Sequence, residues 1–188
     1  LGPIKTSRTE LVDIAKAWVA ISFAFALIFS GINLMRGASL IRIVSIEFWI
    51  MFLISLFTAG LGFLLHELGH KFVAQHYGCA AEFRAMDQML YFAVGLALIV
   101  GFLFAAPGAV MISGHITRKE NGIISVAGPL VNYALALIFM GLSVYVPALR
   151  LGFWINLWLG LFNMIPFGMF DGKKILYWNR YIWLAMVL

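Results

Sequence analysis

Charge is scarce in this sequence: Asp, Glu, Lys and Arg make up 11% of its 188 residues, while 63% are hydrophobic. A soluble domain carries about 25% charged residues, and the apolar runs here are too long for soluble core helices. A single cysteine, Cys79, excludes an internal disulfide. Nothing interleaves basic and aromatic residues as nucleic-acid binding would require. These absences predict an integral membrane protein, with residues 1–188 forming one domain and no nucleic-acid partner.

Five uncharged runs follow one another along the chain. They are Ala17–Met35, Phe48–Leu65, Gln88–Gly114, Asn121–Leu149 and Leu151–Phe170. The first has 19 residues, which as a helix rise about 28 Å, enough to cross a bilayer. We expect an all-α polytopic protein with about four to six transmembrane helices, and no repeats. We also expect the chain to be trimmed at both ends, without a cleavable signal peptide.

The run Gln88–Gly114 is long enough to cross but is broken by glycines and by Pro107. If the N-terminus is cytosolic and this run crosses the membrane, 6 Lys and Arg residues lie on the cytosolic side and 7 on the outer side. A run that dips in and returns leaves 10 inside and 3 outside, which obeys the positive-inside rule. We therefore predict a re-entrant loop or strand element after the second span. It should bend at Gly101 or Pro107-Gly108, with a short strand pair within residues 102–117.

A short motif ends the run Phe48–Leu65. Residues 66–70 read His-Glu-Leu-Gly-His, and on a helix His66 and His70 share one face, one turn apart. Two imidazoles at this spacing can bind Zn²⁺, and the carboxylate of Glu67 can accept a proton from water. Because ionisable groups at the end of a lipid-buried helix are costly, the motif predicts a zinc site inside the membrane.

A catalytic zinc needs a third protein ligand and an open position for water. The candidates are His76, His115, Asp87 and Asp171. His76 faces away on the same helix, His115 sits in a polar loop, and Asp87 is placed to cap the re-entrant segment. With the re-entrant topology, Asp171 and His66 each lie about 27–30 Å along helices that start at the same membrane face. Depth therefore favours Asp171, whereas a crossing would separate the two residues into opposite leaflets.

Two asparagines stand inside apolar runs. Asn132 follows Gly128-Pro129, and Asn163 precedes Pro166 by three residues. One interpretation is that such amides form hydrogen bonds between helices, each worth about 0.6–1.7 kcal/mol. The alternative is that both bind the substrate backbone or support a developing oxyanion.

Three segments together resemble the site-2 protease family of intramembrane zinc metalloproteases. They are His66–His70, Ala127–Asn132, and Asn163-x-x-Pro166 followed by Asp171-Gly172. The likeness covers about residues 48–176. It implies zinc held by His66, His70 and Asp171, with Glu67 as general base, and cleavage of transmembrane segments of other proteins. It also implies a core of three helices with a re-entrant strand element after the first.

The sequence departs from some members of that family. We expect no PDZ domain between the zinc-binding helix and the Gly128-Pro129 helix and no CBS domain after the last span. The stretch from Cys79 to Gly114 is longer and more apolar than in compact members of the family. The predicted function is an intramembrane zinc metallopeptidase with its core at residues 43–176. We expect a multi-pass protein of the cell membrane, with the active site near the cytosolic side and transmembrane proteins as substrates. The alternatives are a non-catalytic zinc protein that binds transmembrane helices, and an ion transporter.

Overall fold

The computed structural model describes residues 5–103 and 107–188. Residues 1–4 of the polar lead-in and 104–106 of the predicted re-entrant run lie outside the described residues. The helices are α1 (Arg8–Phe29), α2 (Ile46–Ser55), α3 (Leu61–His76), α4 (Asp87–Val100), α5 (Arg118–Leu142), α6 (Arg150–Asn163), α7 (Asp171–Trp178) and α8 (Arg180–Val187). The strands are β1 (Ala80–Ala85) and β2 (Gly108–Ser113). Short 3-10 turns lie at Leu34–Arg36, Leu40–Val44 and Pro147–Leu149.

Three stretches of the described chain are long and apolar enough to cross a membrane: Arg8–Arg36, Ile46–His76 and Arg118–Leu142. The second joins α2 to α3 through a turn of π-helix at Leu56–Gly60. Helix α5 begins with a capping box, in which Thr117 and Glu120 satisfy each other's backbone N–H groups. The predicted helical class is confirmed, and the number of spans stays a prediction.

Strands β1 and β2 form one antiparallel pair, in which Phe83 faces Val110. The prediction of a strand pair within residues 102–117 is therefore wrong, because the partner of β2 lies before α4. Helix and strand share the run 88–114, so it follows neither periodicity throughout. The backbone N–H of Met86 donates to the carbonyl of Pro107 over 3.0 Å. This bond joins the two residues that precede α4 and β2, so α4 begins and β2 begins at neighbouring points.

Helix α5 packs against α3 on one side and α6 on the other. Helix α6 ends at Asn163, earlier than the predicted limit of Phe170, because Pro166 cannot continue it. The chain then runs without regular structure to α7. The indole N–H of Trp183 donates to the carbonyl of Met164 over 2.8 Å and fixes this break. Asp171 is thereby the first residue of a new helix.

Candidate metal centre

Two imidazole rings face each other on successive turns of α3. The ring centroids of His66 and His70 are 4.7 Å apart and their planes are nearly perpendicular, at 86°. Their Nε2 atoms are 3.0 Å apart, and both side chains are buried. The helical spacing of four residues, predicted from the sequence, brings the two atoms to one point.

Asp171 completes a three-residue cluster. Its Oδ2 lies 3.0 Å from Nε2 of His70 and 3.4 Å from Nε2 of His66. Its other oxygen, Oδ1, lies 3.6 Å from the ammonium of Lys174. The next residue is Gly172, where a Cβ would overlap the backbone of Met164. The absence of a side chain there lets the chain turn back tightly and deliver Asp171 to the histidines.

Helix α5 passes the cluster at Gly128. A Cβ at this position would overlap Nε2 of His70 and come within 2.6 Å of Nε2 of His66. The glycine therefore leaves room beside both nitrogen atoms. Pro129 follows inside the helix and withholds one backbone donor there.

The outer nitrogens of both rings determine what the inner ones can do. Nδ1 of His70 lies 2.7 Å from the carbonyl of Ile124, which only accepts, so this nitrogen carries the proton. Nδ1 of His66 lies 2.6 Å from Oδ1 of Asn132 and donates in the same way. When the rings are neutral, both Nε2 atoms present lone pairs, next to the oxygen of a buried carboxylate. Three converging acceptors of this kind fit a cation, and His66, His70 and Asp171 could hold one.

Glu67 lies beside the cluster and contacts strand β2. The backbone N–H of Val110 donates to Oε2 of Glu67 over 3.2 Å. Phe83, opposite Val110 in the sheet, directs its own N–H outward to the carboxylate of Glu10, at 2.9 Å. One edge of the sheet is therefore covered by α1, and the other faces Glu67.

The remaining candidate ligands lie elsewhere. His76, His115 and Asp87 are exposed, and Asp87 pairs with Lys16 at 2.6 Å. None of the three belongs to the metal-binding cluster found among the described residues.

The two predicted asparagines differ in their surroundings. Asn132 is fully buried and contacts His66, whereas the amide of Asn163 donates to the carbonyl of Leu159, one turn earlier in its own helix, over 2.9 Å. A role of either residue in substrate binding stays a prediction. Sequence reasoning missed Asn156, which is also fully buried and bonds to Asn132 over 3.1 Å. Its position inside the apolar run 151–170 was a signal of the same kind that singled out Asn163.

A second buried polar cluster lies on another side of α3. The ammonium of Lys71 lies 2.7 Å from Oε2 of Glu10 and donates to the hydroxyl of Thr6 over 2.9 Å. Both members of the ion pair are almost completely buried, at 1% and 0% exposure. This cluster ties α1 to the helix that carries the histidines.

Two proteins of Methanocaldococcus jannaschii are similar to this chain. One, named "putative zinc metalloprotease", is 40% identical over 185 residues, which cover 94% of this chain and 88% of the relative. The other, named "zinc metalloprotease", is 28% identical over 159 residues, which cover 81% of this chain but 38% of that relative. No family model and no solved structure matches the chain.

The relatives and the geometry agree on the cofactor. Two imidazole nitrogens and one carboxylate oxygen form a ligand set that catalytic zinc uses, and both relatives are named for zinc. The predicted cofactor, Zn²⁺, is thereby supported by the donor atoms themselves as well as by the relatives. With nearly nine-tenths of the first relative covered at this identity, the chain belongs to the zinc metalloproteases.

Proposed function

We propose that this protein is an intramembrane zinc metalloprotease of the site-2 type. It hydrolyses peptide bonds within or next to transmembrane segments of other membrane proteins, and the cut releases a membrane-tethered regulator. The observation that carries the proposal is the position of the His66, His70 and Asp171 cluster. It is buried against α3 and α5, which belong to two stretches long and apolar enough to cross a membrane.

The proposed topology has four crossings and one re-entrant segment. The three long apolar stretches supply three crossings, and α6 with residues 164–170 supplies the fourth. The hydrogen bond between Met86 and Pro107 supports the re-entrant segment, because it joins the residue before α4 to the residue before β2. This topology keeps 10 of the 13 basic residues on the cytosolic side, where we place the active site.

In the proposed mechanism, His66, His70 and Asp171 hold the zinc. When bound, zinc lowers the pKa of a water molecule toward about 7 and stabilises negative charge that develops on the scissile carbonyl. Glu67 accepts the proton of the attacking water and then delivers it to the leaving amine. The contact between Glu67 and strand β2 keeps the carboxylate at the side from which a peptide can approach.

The substrate is proposed to bind as a strand along the outer edge of β2. A helical substrate must first unwind, because its carbonyls are already hydrogen-bonded, and an extended peptide can then pair with a free edge. The edge of β1 is covered by Glu10, which leaves the edge of β2 for a peptide. There the N–H of Val110 donates to Glu67, so a peptide that pairs at this residue would replace that hydrogen bond. We propose that Asn163 binds the substrate backbone. Asn132 would have to leave three hydrogen-bond partners before it could bind a substrate.

The test is Glu67→Gln in the full chain, reconstituted in proteoliposomes with a panel of single-span substrates. Bound zinc should remain stoichiometric, while cleavage should fall by about 10²–10⁴, the range for loss of a general base. Glu82→Gln, which changes a carboxylate on β1, is the matched control and should cleave normally. Cleavage by Glu67→Gln at the wild-type rate would remove Glu67 from the mechanism. A wild-type protein that binds zinc and the substrate helices but cuts none of them would instead support the non-catalytic alternative.

A further inference from the structure

A chain of buried amides runs from α6 through α5 to His66. Asn156 and Asn132 are both at 0% exposure. Nδ2 of Asn132 donates to Oδ1 of Asn156 over 3.1 Å, and Oδ1 of Asn132 accepts from Nδ1 of His66 at 2.6 Å. Asn156 is therefore connected to the metal centre through Asn132.

Backbone carbonyls fix the orientation of the first amide. Nδ2 of Asn156 lies 2.9 Å from the carbonyl of Gly152 and 3.4 Å from that of Thr58. A carbonyl oxygen can only accept, so the NH₂ group of Asn156 must face these two atoms. Its oxygen then faces Asn132, where it requires a donor.

A third carbonyl fixes the second amide independently. Nδ2 of Asn132 lies 3.1 Å from the carbonyl of Gly62, which demands the same NH₂ orientation that Asn156 demands. The oxygen of Asn132 consequently faces His66, and Nδ1 of that ring must carry the proton. In the neutral ring, Nε2 of His66 then carries the lone pair, and this atom lies 3.4 Å from Oδ2 of Asp171, the third proposed ligand.

The helix of the histidines is shaped to admit Asn156. A Cβ at Gly62 would overlap Oδ1 of Asn156, so a side chain at this position would push the amide away. The carbonyl of Thr58 belongs to the π-helical turn that precedes α3. Three separate elements thus contribute to one hydrogen-bonded path that ends on His66.

We propose that Asn156 is a positioning residue for the metal centre. Through Asn132 it holds His66 in the tautomer and ring orientation that direct Nε2 at the zinc. The proposal rests on the role of His66 as a zinc ligand, proposed above. Outer hydrogen-bond partners of metal-binding histidines are typically worth about 10–100-fold in metal affinity.

The test measures zinc affinity of the purified full chain by competition with a chelator. Asn156→Leu keeps a similar volume but removes the amide, and zinc should bind about 10–100-fold more weakly. Ser22→Ala is the matched control. Ser22 is also fully buried, and its hydroxyl donates to the carbonyl of Trp18, one turn earlier in α1, over 2.6 Å, but it has no bond to Asn132 or Asn156 among the described contacts. Its replacement should leave zinc affinity unchanged.

A double mutant separates the proposed path from a general effect on folding. If Asn156 acts through Asn132, zinc affinity of the double variant Asn132→Leu/Asn156→Leu should equal that of Asn132→Leu alone. Losses that multiply would show that Asn156 acts by another route and would overturn the proposal. Wild-type affinity in folded Asn156→Leu would overturn it as well.

His66→Ala, in the same assay, separates this proposal from the ligand assignment. Retained affinity in His66→Ala would refute the proposed ligand set. Lost affinity in His66→Ala together with normal affinity in Asn156→Leu would refute the role of Asn156 alone. Should Asn156→Leu fail to fold, Gly62→Ala displaces the same amide while favouring the helix. It should weaken zinc binding by a similar factor, and an unchanged affinity would count against the proposal.

Discussion

Two buried polar clusters meet at consecutive residues of α3, on different sides of the helix. His70 belongs to the metal centre, in which three acceptors converge. Lys71 belongs to the ion pair with Glu10, where an ammonium meets a carboxylate at 2.7 Å and the second carboxylate oxygen accepts from the N–H of Phe83. The ion pair balances its own charge, whereas the metal centre needs a cation from outside. Burial of charge by itself therefore does not mark a functional site; an unbalanced set of acceptors does.

The largest effect on hydrolysis is expected from Asp171→Ala. This change removes one of three acceptors, so zinc should be lost on dialysis and cleavage should fall below detection. Metal content by atomic absorption and cleavage of a single-span substrate measure the two quantities. Full zinc content in Asp171→Ala would show that another side chain holds the ion.

Gly128→Ala should also impair the metal centre without removing any ligand. The added methyl group would overlap Nε2 of His70 and crowd that of His66. We therefore expect zinc affinity to fall by at least about 10–100-fold, the range for loss of an outer hydrogen-bond partner of a metal-binding histidine. Gly141→Ala on the same helix is the control, because a Cβ there meets nothing within 4 Å. Equal zinc affinity in the two variants would mean that α5 does not approach the ligands this closely.

Lys71→Met should have the opposite profile, with a large loss of stability and little change in chemistry. It leaves the carboxylate of Glu10 buried without its partner, which typically costs about 3–5 kcal/mol. Unfolding by denaturant in detergent should show this loss, while zinc content per folded molecule stays at the wild-type level. Loss of zinc from folded Lys71→Met would show that the two clusters are coupled.

The double variant Glu10→Gln/Lys71→Met sharpens the same comparison. Glutamine still offers an oxygen to the N–H of Phe83, and neither residue of the former ion pair is then charged. We expect most of the stability lost in Lys71→Met to return, because buried ion pairs are often replaceable by neutral groups at little cost. No comparable neutral replacement should exist for the metal centre.

The smallest effect is expected at the exposed ion pair between Lys16 and Asp87. Surface pairs contribute little, since both groups remain solvated without each other. Asp87→Asn should therefore leave the unfolding midpoint and the cleavage rate within experimental error. A clear loss of zinc in this variant would return Asp87 to the list of possible ligands.

The sequence pointed to the three acceptors because ionisable residues are conspicuous at the ends of apolar runs. With the re-entrant topology assumed, equal depth along two helices predicts that Asp171 lies near His66. The structure brings these residues together, with Glu67 beside them. The helical class could likewise be predicted, since the length of an uncharged run is a property of the sequence alone.

The ion pair and the amide path could not be predicted in the same way. The predicted topology places Lys71 among the basic residues of the cytosolic side, and Glu10 lies in the polar lead-in, 61 positions earlier. From the sequence, both side chains therefore look solvated. Asn156 was visible as an amide in an apolar run. Its connection to the metal centre, however, depends on a hydrogen bond to Asn132, which lies on another helix. Strand β1 was missed because its six residues include Glu82 and Arg84, and its partner follows only after α4.

The hydrogen bond between Met86 and Pro107 closes the α4 excursion at its base. A segment whose two ends are hydrogen-bonded to each other can change in length without moving the residues outside those ends. The pairing of β1 with β2, and with it the distance from β2 to Glu67, is insulated from insertions or deletions there. In the proposed topology, the α4 segment can therefore differ in length, and so in the depth to which it enters the bilayer, while β2 and Glu67 keep their relative position.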